Sequence, residues 1–286
     1  MLARQPRTTA RIAELPATTS MTRRIRLDTE LVRRGLARSR EHAAGLIADG
    51  RVAVSGQTAA KPATQVGQDA AIAVAEPRAE PDYVSRGGRK LAGALSAFAD
   101  LAVAGRRCLD AGASAGGFTD VLLRAGAAHV VAVDVGYGQL AWQLRTDPRV
   151  TVLDRVNVRQ LSPGQVAPPP AVVTADLSFI SLALVLPALV AGAAADADFV
   201  LLVKPQFEVG KGKVGAGGVV RDRVQRAGAV ASVAAAAEAE GLGVRGIVAS
   251  PLPGPSGNVE YFLWLRRGAP PLDAAALGHA IEAGPQ

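Results

Sequence analysis

Lys204 ends a run of five apolar residues, Phe199-Val200-Leu201-Leu202-Val203. A run with no polar face reads as a strand buried on both sides, and a lysine at its carboxyl end lies where open α/β sheets bind ligands. Alone, it reads as a side chain that buries its stem and keeps its ammonium at the rim. Carboxylates recur at similar places, however. Asp110 closes "RRCLDAG", Asp134 closes "HVVAVD", Asp154 closes "VTVLD", Asp176 closes "AVVTAD", and Glu260 opens the last strand in "GNVEYF". Lys90 enters earlier, in "SRGGRKL". An amine held among carboxylates can orient or deprotonate a hydroxyl.

The loop "LDAGASAGGFTDVLLRAG" places Asp110, then glycines at 112, 116 and 117, then a helix. Such glycines let the backbone turn tightly and approach a ligand, and the helix start offers free N–H groups. The spacing is not G-x-G-x-x-G and the acid precedes the glycines, which speaks against a nicotinamide-linked dehydrogenase. Asp134 stands where a carboxylate holds a ribose diol. Asp154, in "LDRVN", stands where an acid or amide meets an adenine edge.

These residues need a scaffold. Strands are expected near 107–111, 129–135, 150–154, 171–176, 198–204, 244–249 and 259–265, with helical segments between several of them. The alternation implies a doubly wound, mostly parallel sheet with right-handed crossovers. "PLPGPSGN" joins the last two strands and suggests an antiparallel edge. Ahead of this part, Asp28 is expected to cap one helix and Ser39 a second. Gly50 closes the second, and strands follow near "RVAVSG" and "AAIAVA".

Residues 1–60 hold eleven Arg, no Lys and five acids, a net of +6 out of the chain's +7. So localised an excess points to a polyanion partner. Arg33, Arg34, Arg38 and Arg40 cluster at the turn between the two helices, where they can grip phosphates. The single cysteine, Cys108, reads as a small core residue, and nothing suggests secretion or structural zinc. The longest apolar stretch, residues 182–195, is too short for a bilayer span and contains Pro187.

The order "LDAGASAGG", "AVDVG", "LDRVN" resembles the S-adenosylmethionine site of Rossmann-like methyltransferases. Lys90, Asp176, Lys204 and Glu260 resemble the tetrad of FtsJ-like ribose 2′-O-methyltransferases. Residues 25–75 resemble the RNA-binding domain first described in small-subunit ribosomal protein number four. With "VKPQFEVGKG" and "SPLPGPSGNVEYF", the chain from Met21 onward resembles the hemolysin-like TlyA family of rRNA methyltransferases.

The resemblance implies an α/β fold with a seven-stranded, mostly parallel sheet and a small N-terminal α+β RNA-binding domain. It implies methyl transfer from S-adenosylmethionine to cytidine 2′-hydroxyls of 16S or 23S rRNA in ribosomal subunits. Lys90, Asp176, Lys204 and Glu260 would be catalytic, with Lys204 deprotonating or orienting the hydroxyl. Asp110, Gly112, Ser114, Gly116, Gly117, Phe118, Asp134, Asp154 and Asn157 would hold the cofactor, and Arg26, Arg33, Arg34, Arg38 and Arg40 the RNA. No metal, DNA or membrane partner is expected, and the protein is expected to be a cytoplasmic monomer. Two features depart from the family pattern: Ala115 stands where relatives often carry threonine, and Pro81-Asp82-Tyr83-Val84 replaces an arginine and a tryptophan around the same valine.

The expected domains are a disordered or mis-annotated extension (1–24), the RNA-binding domain (25–75), a linker (76–85), the methyltransferase domain (86–268) and a tail or helix (269–286). Competing readings are a membrane-lytic protein and a catalytically silent RNA-binding or assembly factor. The complete tetrad argues against the second. The helix expected around "VRDRVQRAGAVASVAAAAEAEG" reads as an ordinary sheet-covering helix rather than a lytic one.

Overall fold

The computed structural model describes residues 24–75, 82–210, 212 and 214–285. The extension up to residue 23 and the linker over 76–81 lie outside them. The chain divides into two compact units, one ending at Asp82 and the other starting at Tyr83.

In the first unit, β1 (Ile25–Arg26) leads into α1 (Leu27–Arg33), and α2 (Arg40–Ala48) follows. Then come β2 (Val52–Val54), β3 (Gln57–Thr58), β4 (Gln65–Val66) and β5 (Ile72–Val74). β2 sits between β3 and β5 in an antiparallel sheet, and β1 pairs with β4. Leu27, Leu31, Ala43, Leu46, Ile47 and Val52 form the core between the helices and this sheet. Ser39 caps α2, its Oγ accepting from the His42 N–H at 3.1 Å. Asp28 does not cap α1. The helix begins one residue before it, with Arg26 at the N-cap position, because charge-assisted bonds draw the Asp28 carboxylate to Arg26 and Arg40 instead.

The second unit opens with α3 (Arg86–Ala97). Its strands are β6 (Arg107–Ala111), β7 (His129–Asp134), β8 (Val150–Asp154), β9 (Val172–Ala175), β10 (Asp198–Val203), β11 (Leu242–Ala249) and β12 (Tyr261–Arg267). The helices between and after them are α4 (Gly117–Arg124), α5 (Trp142–Arg145), α6 (Pro163–Val166), α7 (Leu186–Gly192), α8 (Pro205–Glu208), α9 (Arg223–Ala239) and α10 (Ala274–Ala283). The sheet order is β11-β12-β10-β9-β6-β7-β8, with β12 antiparallel to both neighbours and the five strands from β10 to β8 parallel. The central strands are mostly apolar because helices cover both faces, with charged residues at their ends.

Alternation along each strand sorts the core into two layers. Cys108, Val130, Leu202, Phe262 and Trp264 face Leu91 of α3 and Phe118 and Leu122 of α4. Leu109, Val131, Val173, Leu201 and Leu263 face the opposite layer, with Leu186, Val230 and Val233 of α7 and α9. Burial pushes the Cys108 thiol up to about 12, which leaves it inert at neutral pH. At the start of β10, the buried Asp198 accepts from Trp264 Nε1 at 2.8 Å and from Arg106 Nη1 at 2.7 Å. Among the described residues no helix is long and apolar enough to cross a membrane.

Candidate active site

Lys204 and Glu260 lie one step beyond the last paired residues of β10 and β12, Val203 and Tyr261, so the antiparallel register brings them opposite each other. Alternation turns both toward α3, the layer shared by Leu202 and Phe262. From α3, Lys90 Nζ meets Glu260 Oε2 at 2.6 Å, with both side chains buried. Lys204 Nζ lies 2.6 Å from Asp176 Oδ1 and donates to Ser178 Oγ at 2.9 Å. The Asp176 contact is off the hydrogen-bond line, so Oδ1 is held by charge and keeps an unused acceptor direction. A Cβ on Gly87, one turn before Lys90 on the same helix face, would sit 3.7 Å from Asp176 Oδ2. The two lysine–carboxylate pairs are thus neighbours across the first turn of α3.

Two glycines let these groups approach. Gly112 has φ +86°, and a Cβ there would lie 2.6 Å from the Asp176 carbonyl oxygen, so the loop after β6 packs directly on the backbone that carries Asp176. A Cβ on Gly254 would lie 2.6 Å from Glu260 Oε1, so any side chain there would push the carboxylate away from Lys90.

The residues expected to hold a cofactor separate into groups. Asp134 accepts from the backbone N–H of Ser114 at 2.8 Å and of Gly136 at 2.7 Å, which ties the loop after β6 to the end of β7. Gly116, with φ +99°, stands at the N-cap position of α4 and has no side chain to cap the helix. The Thr119 N–H is taken by the Asp110 carboxylate, and those of Gly117 and Phe118 are the first-turn donors that suit an anionic group. The Phe118 ring itself belongs to the core, 5.9 Å from the Phe262 ring. Asp154 is engaged by the Arg145 guanidinium, and Asn157 caps the single turn at 158–160 by accepting from the Arg159 N–H.

Asp110 is sealed beneath the loop rather than exposed at its surface. Its Oδ2 accepts from Thr119 Oγ1 at 2.7 Å, and Thr174 Oγ1 lies 3.5 Å from Oδ1. Burial raises its pKa to about 7, with the Thr119 hydrogen bond opposing and the nearby Asp176 charge adding to the rise.

Sequence reasoning missed two residues beside Lys204. Ser178 orients the ammonium. Phe179 has φ +65° and is 91% exposed, its ring 5.1 Å from that of Phe207. A left-handed backbone at a non-glycine residue costs conformational energy that the surrounding turn must offset, and "DLSF" carries no signal of the turn. A further exposed group stands after β7 and β8, where the Arg155 guanidinium lies 4.4 Å over the Tyr137 ring.

In the first unit the arginines are not equivalent. Arg34 spends Nε on Glu30 and its two terminal nitrogens on the carbonyls of Ala70 and Gln68, each bond 2.7 to 2.8 Å, so it braces the fold. Arg33 is bidentate to the same buried Glu30, whose pKa these bonds hold down at about 2. Arg26 and Arg40 share Asp28. Arg38 is exposed.

The model of the FtsJ-like methyltransferase family matches residues 83–267, and that of the S4 domain matches residues 25–72. The chain is 64% identical over 246 residues to the 16S/23S rRNA (cytidine-2′-O)-methyltransferase TlyA of Mycobacterium tuberculosis, covering 86% of this chain and 91% of that one. It is 35% identical to Hemolysin A of Brachyspira hyodysenteriae, over 83% of this chain and 98% of the other. A solved Streptococcus thermophilus structure, provisionally assigned as a hemolysin, superposes with a TM-score of 0.71 at 36% identity and covers 91% of this chain and 95% of its own.

Proposed function

Because the chain belongs to the FtsJ-like methyltransferase family, in its TlyA branch, we propose that it methylates cytidine 2′-hydroxyls of 16S and 23S ribosomal RNA, with S-adenosylmethionine as donor. The observation that carries this reading is the meeting of two lysine–carboxylate pairs, Lys204 with Asp176 and Lys90 with Glu260, at the carboxyl ends of the parallel strands. The same reading makes the protein a cytoplasmic enzyme that works as a single chain on ribosomal subunits, with RNA rather than DNA or a membrane as its partner. The S4 domain docks the RNA and the second unit performs the chemistry.

The residues around the loop after β6 fit the cofactor. Uncapped N–H groups at the start of α4 suit its carboxylate, and Asp134 retains lone pairs for a ribose diol. Val135 and Tyr137 offer exposed apolar surface beside Asp134 for a base. When bound, the cofactor supplies an electrophilic methyl group on a sulfonium.

The chain supplies position and charge. An ammonium has three N–H donors. On Lys204 one serves Ser178 and another lies close to Asp176, which leaves one for the incoming 2′-oxygen. The Asp176 carboxylate, paired with Lys204, can take the hydroxyl proton as the oxygen becomes a nucleophile, while Lys204 stabilises the developing negative charge. Lys90 and Glu260 form the second pair, each placing an opposite charge against the other in a buried setting. Phe179 provides a face on which the target base can lie once it leaves its stack.

The deciding measurement is single-turnover methyl transfer at saturating RNA and cofactor. Lys204→Met keeps the apolar stem and removes the amine. It should bind both partners normally and lose ~10²-fold or more in rate. Near-normal turnover would show that Lys204 is only a rim lysine.

A further inference from the structure

One oxygen in the first unit holds two cations. Asp28 Oδ2 accepts from Arg26 Nη2 at 2.7 Å and from Arg40 Nη2 at 3.0 Å. The two arginines come from separate elements, the end of β1 and the start of α2. Asp28 cannot swing away, because its Oδ1 also accepts from the Thr29 N–H at 2.8 Å and from Arg26 Nε at 3.1 Å. The carboxylate is buried, whereas the Arg26 and Arg40 side chains are 44% and 62% exposed. Arg26 keeps Nη1, and Arg40 keeps Nε and Nη1, with no partner among the described residues. Two guanidiniums this close repel each other unless an anion lies between them. Asp28 neutralises one of the two charges, and the pair is left with one surplus positive charge and outward N–H groups. That arrangement matches one phosphodiester, whose two free oxygens each take a charge-assisted bond.

We propose that Asp28 assembles Arg26 and Arg40 into a single phosphate-binding clamp, so that an acidic residue is required for this protein to bind a polyanion. The proposal rests on the RNA-docking reading above. Asp28 acts through the arginines and is a positioning residue.

The test uses the full chain, with deproteinised ribosomal RNA as probe and affinity measured over a range of salt. A bare charge count predicts that Asp28→Asn, which removes a negative charge, binds RNA more tightly. The clamp predicts the reverse, with binding roughly tenfold weaker and a salt slope shallower by about one, as expected when one phosphate is no longer gripped. In an Arg40→Gln background, Asp28→Asn should cost nothing further, whereas a general folding defect would persist there. Hydrogen exchange of the α2 amides reports whether the unit stays folded. If Asp28→Asn loses that protection, Arg26→Gln and Arg40→Gln decide. Because one phosphate needs both edges, their combination should cost no more than either alone. Tighter or unchanged binding by folded Asp28→Asn, or additive arginine effects, overturns the clamp while leaving RNA docking intact. Absence of salt-dependent binding by the unmodified chain removes the docking reading itself.

Discussion

Replacing Asp110 by Asn should make the second unit more stable at neutral pH than the unmodified protein, and by an amount that depends on pH. The carboxyl titrates at about 7 in the fold against 3.8 ordinarily, chiefly because it is fully buried. Between those values the folded protein holds a proton that the unfolded chain has released. Stability is therefore lost as pH rises through this window, and the full penalty applies above it. A difference of about 3 units at 1.36 kcal/mol each amounts to roughly 4 kcal/mol. Asn has no charge to bury, so the stability difference between Asp110→Asn and the parent should be smallest near pH 4 and grow toward ~4 kcal/mol by pH 8. Any loss of hydrogen bonding to Thr119 adds an offset that does not vary with pH. Urea unfolding followed by tryptophan fluorescence reads the relevant unit alone, because Trp142 and Trp264 both lie beyond residue 82. A difference that stays flat from pH 4 to 8, or that widens toward acid, would refute the account of Asp110 as a carboxyl that burial keeps protonated.

Two further outcomes follow from the site. Asp134→Ala should weaken S-adenosylmethionine binding, measured by calorimetry, while leaving RNA affinity unchanged; equal cofactor affinity would remove Asp134 from the site. Phe179→Ala should keep the turn, since alanine retains the Cβ, and lower kcat/KM for RNA about tenfold, the scale of one base stack, with cofactor affinity untouched. A variant of normal kcat/KM would show that the exposed ring does no work on the substrate.

The fold is legible where short apolar runs alternate with helical segments. β6 and β8 fall on the expected residues, and β7, β9 and β10 differ from expectation by one residue at an end or at each end, since runs such as "FVLLV" have only one stable home. β11 begins two residues early, where Leu242 pairs with Arg267 at the end away from the turn, and β12 begins two residues late, after the turn that packs Gly254 on Glu260. The pairing of Lys90 with Glu260 and of Lys204 with Asp176 depends on register, which no local stretch encodes. By charge alone Arg34 looks like Arg40, although one spends its donors on the fold and the other points outward. Asp28 looks like a cap for a similar reason, since local preference ignores an arginine twelve positions away.

The Asp198 knot gains meaning from its distance to Lys204. Six residues separate them along β10, about 20 Å of extended chain. Strand side chains alternate, so a slip of one residue against β12 would turn Lys204 from the α3 layer to the opposite layer and leave Glu260 facing an apolar residue. An apolar strand resists such a slip weakly, because valine, leucine and phenylalanine are nearly interchangeable between two greasy layers. A carboxylate clasped by Trp264 and Arg106 is not interchangeable, and it has one position in which its bonds close. The far end of the strand thereby acts as an alignment key for the near end. Variation at Asp198, well away from any substrate, should be weighed as variation in the active site.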